Sequence, residues 1–357
     1  MIRYYPVLLG FFLSFACSDQ SSTAARGETS RASDSIASVW SFDQEKTVIR
    51  DRSCADVATA NETAVAVPVA VDVTPLVWPD PGYETAVFSG LELAGVWQLS
   101  SQQAGFGAFS GIVETPAGQL LLVSDTGRWL QLDLDGTHRS PLQTALFGRM
   151  LGRDGQPLAG KRQADAEGLA YREGIALVSF EQDHRVSAFA LSTCGMAARE
   201  VRLTGLAGEP VAGLNMARNG GAEGLMISAD GVVWLGIETP DARGAAVGRL
   251  LKNGGLDAVN WHTPPAGHRL TGLDARDGQI ARVFRFYRRD LGNRIFFSVS
   301  RSGILQASGR LAPPAPVDNL EGIAFGQAPG GGDRLWLVSD DNVSHRQRTL
   351  LFAFDLH

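Results

Sequence analysis

A short motif recurs five times along the 357-residue chain: a small turn, often acidic, then glycine and an aliphatic residue. A repeat of this kind limits the fold more than any bulk property. The copies read F-S-G-I-V-E-T-P-A-G-Q-L-L-L-V-S-D from Phe109, D-A-E-G-L-A-Y-R-E-G-I-A-L-V-S-F-E from Asp165, and G-A-E-G-L-M-I-S-A-D-G-V-V-W-L-G-I-E from Gly221. A weaker fourth, L-T-G-L-D-A-R-D-G-Q-I-A-R-V-F-R, starts at Leu270, and the fifth, N-L-E-G-I-A-F from Asn319, leads into R-L-W-L-V-S-D-D. The motif glycines Gly111, Gly168, Gly224, Gly272 and Gly322 are 57, 56, 48 and 50 residues apart. That period, with several short apolar strands per unit, is propeller spacing.

In the first unit the strand pattern covers 111–115, 120–124 and 129–134, with a fourth strand near 140–147. Four strands make a blade, so the expectation is an all-β propeller of four-stranded blades. Five motif copies argue for five blades, with six open if a degenerate blade lies in 83–108 or in the long 272–318 unit. The final strand, T-L-L-F-A-F-D-L, has no partner after it in sequence. The run from Val87 to Leu99 precedes the first motif, and pairing the two would close the ring and remove an exposed sheet edge. Glycine makes up 41 of 357 residues, about 11.5% against a usual 7%, as many tight turns require. Long stretches of helical periodicity are lacking, which argues against helical and α/β alternatives.

The N-terminus reads differently. Met1 to Arg3 are positive, Val7 to Ala16 are largely apolar, and S-F-A-C ends at Cys17. This reads as a secretory signal over 1–17, too short to span a membrane, and its ending resembles a bacterial lipoprotein signal, which implies a lipid on Cys17, with plain export the alternative. Residues 18–82 form a Ser/Ala/Thr/Arg-rich tether and a Pro-interrupted extended stretch, followed by the propeller over 83–357. The expected location is the periplasm or outer membrane, with membrane contact through the Cys17 lipid alone. Of the three cysteines, Cys54 and Cys194 then remain as a pair, suited to a disulfide in an oxidising compartment. The net charge of −6 lacks the basic footprint of a nucleic-acid partner. A monomer acting on a small anionic or ester substrate is expected.

The D-A-E-G-L-A, G-A-E-G-L and N-L-E-G-I-A-F series, with strands ending L-V-S-D and L-V-S-D-D-N, resembles the phytase-like (esterase-like activity of phytase) domain family over roughly residues 85–357. The resemblance implies an exported propeller that hydrolyses a phosphoester or ester. The E-G turn is also similar to that of gluconolactonase-type propellers, which implies a Glu on an innermost strand reaching a central divalent ion.

Around a propeller axis, equivalent positions form rings. Glu167, Glu223 and Glu321 would share one ring near a channel mouth, with Ser110 and Thr271 at the equivalent places. Converging carboxylates repel and call for a cation, bound water or raised pKa values. Oxygen donors suit Ca²⁺ or Mg²⁺, with Ca²⁺ expected. Such an ion could polarise an ester or phosphoryl oxygen, or activate water. A structural role, capping backbone N–H groups between blades, fits the same glutamates. A second acidic set, Asp125, Glu181, Glu238, Asp340 and Asp341, ends the next strands, suited to a metal or substrate role or to solvated turns, and Asp125, Asp340 and Asp341 join the candidate metal ligands. Arg128, His184 with Arg185, and His345 with Arg346 recur after those strand ends, as an anion-facing mouth would need. The catalytic candidates are Glu167, Glu321, Arg128 and His184. A noncatalytic propeller that binds a ligand or protein partner is the alternative. No G-x-S-x-G, H-E-x-x-H, Walker or G-x-G-x-x-G motif is present.

Overall fold

The computed structural model describes residues 38–54, 66–78, 86–206, 213, 216 and 220–357. The expected signal segment, Cys17 and the expected tether before residue 38 lie outside the described residues. The described residues form five antiparallel sheets arranged as the blades of a propeller.

Blade one runs outward as β5 (Phe109–Glu114), β6 (Leu120–Ser124), β7 (Arg128–Leu134) and β8 (Pro141–Arg149), with β1 (Ala66–Ala70) added outside β8. Blade two is β9 (Ala166–Arg172), β10 (Ile175–Phe180), β11 (Arg185–Phe189) and β12 (Val201–Gly205). Blade three is β13 (Ala222–Ile227), β14 (Val233–Asp241), β15 (Gly244–Leu250) and β16 (Leu256–His262). Blade four is β17 (Arg269–Arg276), β18 (Gln279–Arg288), β19 (Gly292–Arg301) and β20 (Ile304–Leu311), with β3 (Ala86–Ser89) outside. Blade five combines β21 (Asn319–Gln327), β22 (Asp333–Asp340) and β23 (Thr349–Leu356) with β4 (Leu91–Ser100) and β2 (Asp72–Pro75).

Five blades are therefore observed, and the ring closes by β4 pairing antiparallel with β23, from Leu91↔Leu356 to Leu99↔Thr349. Two details depart from the sequence reading. Three blades carry a fifth strand, because β1, β2 and β3 each cover an outer edge that would otherwise be unpaired. The run from Val87 to Leu99 is also two strands rather than one. Gly90, at φ 66°, turns the chain between β3 on blade four and β4 on blade five.

The core lies between blades. Leu120, Leu122, Leu130, Phe147, Trp336 and Leu351 fill the space between blades one and five. Val283, Phe297, Leu320, Phe325, Leu337, Phe352 and Phe354 fill that between four and five. A larger cluster joins blades one, two and three. It also receives α1 (Phe42–Ser53), whose Phe42, Ile49 and Ser53 are buried on one face. Asp43 and Glu45 in its first turn and Arg50 and Arg52 in its last match the helix dipole. Cys54 follows directly and bonds Cys194, with Cα atoms 5.6 Å apart. The pairing expected from cysteine count thus holds α1 against blade two.

Candidate functional site

Each innermost strand, β5, β9, β13, β17 and β21, contains a β-bulge at the motif. In β5 the register runs Phe109↔Ser124 then Gly111↔Val123, leaving Ser110 without an opposite residue. The same shift leaves Glu223 unopposed in β13, Thr271 in β17 and Glu321 in β21. In β9 the irregularity sets Glu167 and Gly168 against the single residue Ser179. A bulge adds one residue to one strand and re-aims its side chain. Here all five bulges fall at the same level of the ring.

The glycine after each bulge has a separate cause. A Cβ on Gly111 would sit 2.6 Å from the Glu167 carbonyl oxygen, and one on Gly168 would sit 2.8 Å from that of Glu223. On Gly272 it would overlap the Glu321 carbonyl oxygen. At four of the five motifs the innermost strand of the next blade thus rests a carbonyl on the motif glycine, and at Gly224 it rests the Cβ of Leu273 there. Repetition of E-G records both needs: a bulge that aims the side chain and a bare Cα that lets the next strand approach.

A second ring lies on the adjoining strands, one step beyond the last paired residue in blades one to three and at the last paired residue in blades four and five. Asp125 follows Ser124, Glu181 follows Phe180, Glu238 follows Ile237 and Asp340 ends β22. In blade four this place falls to Arg285, one residue beyond Phe284. Reading blades one to five, the inner ring is Ser110, Glu167, Glu223, Thr271, Glu321. The outer ring is Asp125, Glu181, Glu238, Arg285, Asp340.

Apart from Thr271, these side chains line one polar cavity of about 210 Å³, joined by Lys161 and Asn342. The seven carboxylates are each at most 9% exposed. Burial by itself would lower the Lys161 pKa, but its bonds to Asp125 at 2.5 Å and Asp165 at 2.6 Å outweigh that and raise it. Arg285 stands 3.5 Å from Glu321 and 3.9 Å from Glu238. Asn319 donates to Glu321 at 2.8 Å, Asn342 N–H donates to Asp340 at 2.6 Å, and Gly221 N–H donates to Glu181 at 2.9 Å. The last bond runs from blade three to blade two, so one motif-level carboxylate also caps a neighbouring backbone.

Seven carboxylates against two cations cannot all stay ionised where so little of each reaches water. Burial, then the charges of Glu223 and Glu321, raises the Glu167 pKa well above the usual range. Burial, then Glu238 and Glu321, does the same to Glu223. Glu181 is raised by burial, an effect its hydrogen bond with Glu223 opposes. Burial with the Asp340 charge takes Glu321 to about 8, and burial with Asp125 takes Asp340 to about 7. Burial also raises Asp125, against the pull of Lys161.

The donor set fits a hard cation. Oxygen atoms of Asp165, Glu167 and Glu181 lie within 4.8 Å of one another, and so do those of Glu181, Glu223 and Glu238. Asp125 Oδ1 and Ser110 Oγ are buried there without a hydrogen-bond partner. These buried acidic clusters can bind a metal ion.

Of the residues expected from sequence, Glu167, Glu223, Glu321, Asp125 and Asp340 are brought together. Asp341, Arg128 and His184 are not among the side chains lining the cavity. Asp341 accepts Ala108 N–H and Val343 N–H at 2.9 Å each and the Thr349 hydroxyl at 2.9 Å, so it locks a loop. Arg128 lies against the Phe147 ring, 5.4 Å from its centroid, and His184 is buried beside Gly221. Arg185 beneath it spans Glu200 and the Gln163 carbonyl and stacks on Phe180 at 3.7 Å. His345 and Arg346 are exposed. Basic residues three or four positions past a strand end have already turned away from the axis. The cations that do reach the cavity, Lys161 and Arg285, were missed. Arg285 was legible as the terminal residue of the fourth copy, where the others end in acid; Lys161, on the short helix Lys161–Ala164, has no repeat to mark it.

Among solved structures, the chain is similar to the PQQ-bound aldose sugar dehydrogenase of Streptomyces coelicolor: 13% identity, 76% of this chain and 98% of that one, TM-score 0.47. It is also similar to the glutaminyl cyclase of Myxococcus xanthus: 15% identity, 75% and 97% coverage, TM-score 0.43. A thermostable family-43 glycoside hydrolase matches at 10% identity, 70% and 90% coverage, TM-score 0.41. Comparison with curated proteins finds no match. The sequence profile of the phytase-like family, described as esterase-like activity of phytase, matches residues 104–343, a stretch holding all five bulged motifs and both rings, and the chain belongs to that family.

Proposed function

We propose that the protein is a cell-envelope hydrolase of a phosphoester, ester or lactone, and that its acidic mouth holds a divalent cation, with Ca²⁺ favoured. The observation that supports this most is the convergence of seven buried carboxylates on one cavity with two neighbouring basic side chains. Glu181, Glu223 and Glu238, or Asp165, Glu167 and Glu181, would hold the ion. When bound, it would supply Lewis-acid polarisation of an ester or phosphoryl oxygen and acidify a water.

The remaining groups divide the work by position. Arg285 is the cation of the outer ring, its Nε buried without a hydrogen-bond partner, and is suited to hold a substrate oxyanion. Lys161 keeps Asp125 and Asp165 in place. Glu321 and Asp340 share the Asn319 amide, at 2.8 and 3.4 Å, and are placed to carry a proton to or from a substrate oxygen. A cavity of about 210 Å³ admits the reacting group and leaves the rest of the substrate outside. Arg128 and His184 have no part in this arrangement. Export with a lipid on Cys17 belongs to the same proposal; the Cys54–Cys194 disulfide supports an oxidising compartment.

The test combines elemental analysis of the native protein with thermal melting in added CaCl₂ or MgCl₂. Hydrolysis of p-nitrophenyl phosphate, p-nitrophenyl acetate and an aldonolactone is then measured. Bound divalent metal, a cation-dependent rise in melting temperature, and turnover of one substrate class that Glu223→Gln abolishes are expected. Protein that carries no metal, melts identically with and without cations and leaves all three substrates intact would overturn the proposal.

A further inference from the structure

A second cavity lies at the far end of the innermost strands, between blades three and four. It is bounded by Met226 and Ile227 at the end of β13 and by Ala275 and Arg276 at the end of β17, so it is remote from the bulged ends that form the acidic mouth. Its volume is about 820 Å³, enough for a drug-sized organic molecule. It exists because this interface is thinly packed: the cluster between blades three and four has six fully buried apolar side chains, Met226, Ala245, Val247, Leu270, Leu273 and Phe284. Trp234 and Ile280 complete the apolar wall, while Trp261, opposite Ala246, packs on the other face of blade three.

Into this wall β18 sets a charge. Alternation places Ile280, Arg282 and Phe284 on one face of the strand, the face turned toward blade three. Arg282 is 8% exposed. One Nη donates to Ser300 Oγ at 2.8 Å, while Nε is buried without a partner. Among the described residues no carboxylate pairs with it, and loss of hydration is the sole cause that lowers its pKa. The other arginines of the cavity are occupied. Arg172 donates to the Ser228 and Ala229 carbonyls, and Arg276 to the Gly326 carbonyl with Asp333 at 3.7 Å. His262 beside Arg282 is held neutral, its pKa lowered to about 4 by burial and then by that guanidinium.

A buried guanidinium without a counter-charge is costly unless something supplies one. We propose that this cleft is a second binding site, distinct from the acidic mouth, for a small organic anion whose apolar or aromatic body packs on Trp234 and Ile280 and whose oxyanion pairs with Arg282. The Arg fork matches the planar geometry of a carboxylate, and the Trp234 indole gives the body of the ligand an aromatic contact.

The probe is 1-naphthoate, with uncharged 1-naphthalenemethanol as its control, titrated calorimetrically into the full protein. Wild type is expected to bind the acid about tenfold or more tightly than the alcohol, as one charge-assisted hydrogen bond provides. Arg282→Met should bring the two within about twofold, while Arg282→Lys keeps a preference and Glu321→Gln leaves both affinities unchanged. In ¹⁵N-labelled wild type, naphthoate should shift the indole N–H resonance of Trp234. That measurement needs no variant and decides the matter should Arg282→Met not fold. Equal or absent binding of acid and alcohol, a retained preference in Arg282→Met, or an unshifted Trp234 resonance would each refute the site.

Discussion

Asp274 shows how a single carboxylate can join two blades at the expense of its own hydration. It sits on β17 and accepts the N–H of Phe325 from β21 at 2.7 Å and that of Ala275 at 2.8 Å. Burial outweighs both bonds and raises its pKa from 3.8 to about 6. Between those values the folded protein binds this proton more tightly than the unfolded chain does. Stability contributed at this residue therefore falls as pH rises from about 4 to 6 and is level above that. Urea unfolding of wild type and Asp274→Asn at pH 4, 5, 6 and 7 isolates the effect from the mouth carboxylates. The wild-type minus variant difference is expected to decline by about 1–2 kcal/mol over the interval, allowing for partial solvent access. A difference that is flat from pH 4 to 6 would contradict the assignment.

At the scale of the element, the bulge and its glycine explain what the sequence could and could not reveal. The repeat was readable because the next blade approaches each motif glycine closely enough to need a bare Cα at the same level. Gly272→Ala drives a methyl into the Glu321 carbonyl oxygen, which cannot move without displacing β21. A loss of about 2–3 kcal/mol in chemical denaturation is expected, against a change near zero for Gly332→Ala, whose added methyl would meet no atom within 4 Å. The direction of the side chains was not readable. Strict alternation gives no hint that Ser110, Glu223 and Glu321 are unopposed, so the ring could be inferred from repetition alone. The position of α1 was hidden too, since Phe42, Ile49 and Ser53 are a sparse buried stripe in an otherwise charged helix. Ser53 nevertheless sits in a tight junction: its hydroxyl donates to the Arg199 carbonyl at 2.8 Å and accepts Ala190 N–H at 3.0 Å. The adjoining Cys54–Cys194 bond spans 140 residues. Replacing both cysteines by serine is expected to lower stability by about 2–4 kcal/mol in urea titrations without changing the far-ultraviolet spectrum.

Across the whole molecule, the chain is wound so that its beginning finishes what its end leaves open. Innermost strands follow one another around the axis in sequence order, and β21 returns to lie against β5. Closure does not come from that contact alone. β4 occupies the fourth position of blade five, and through β23 it joins the first-made and last-made parts of the sheet. Val96 and Leu91 on β4 are buried with Phe352, Phe354 and Leu337. Without β4, the full length of β23 becomes a flat, apolar edge. Two truncations separate this role from that of α1. A chain of residues 66–357 loses α1 and the disulfide but keeps every strand; it is expected to melt cooperatively, at a lower temperature than the full protein. A chain of residues 101–357 loses β1 to β4; it is expected to elute from size exclusion as aggregate and to show no cooperative melting. If residues 101–357 gave a monomer with a sharp transition, closure by the N-terminal strand would be dispensable, and the ring would have to be held by the contacts of β21 with β5.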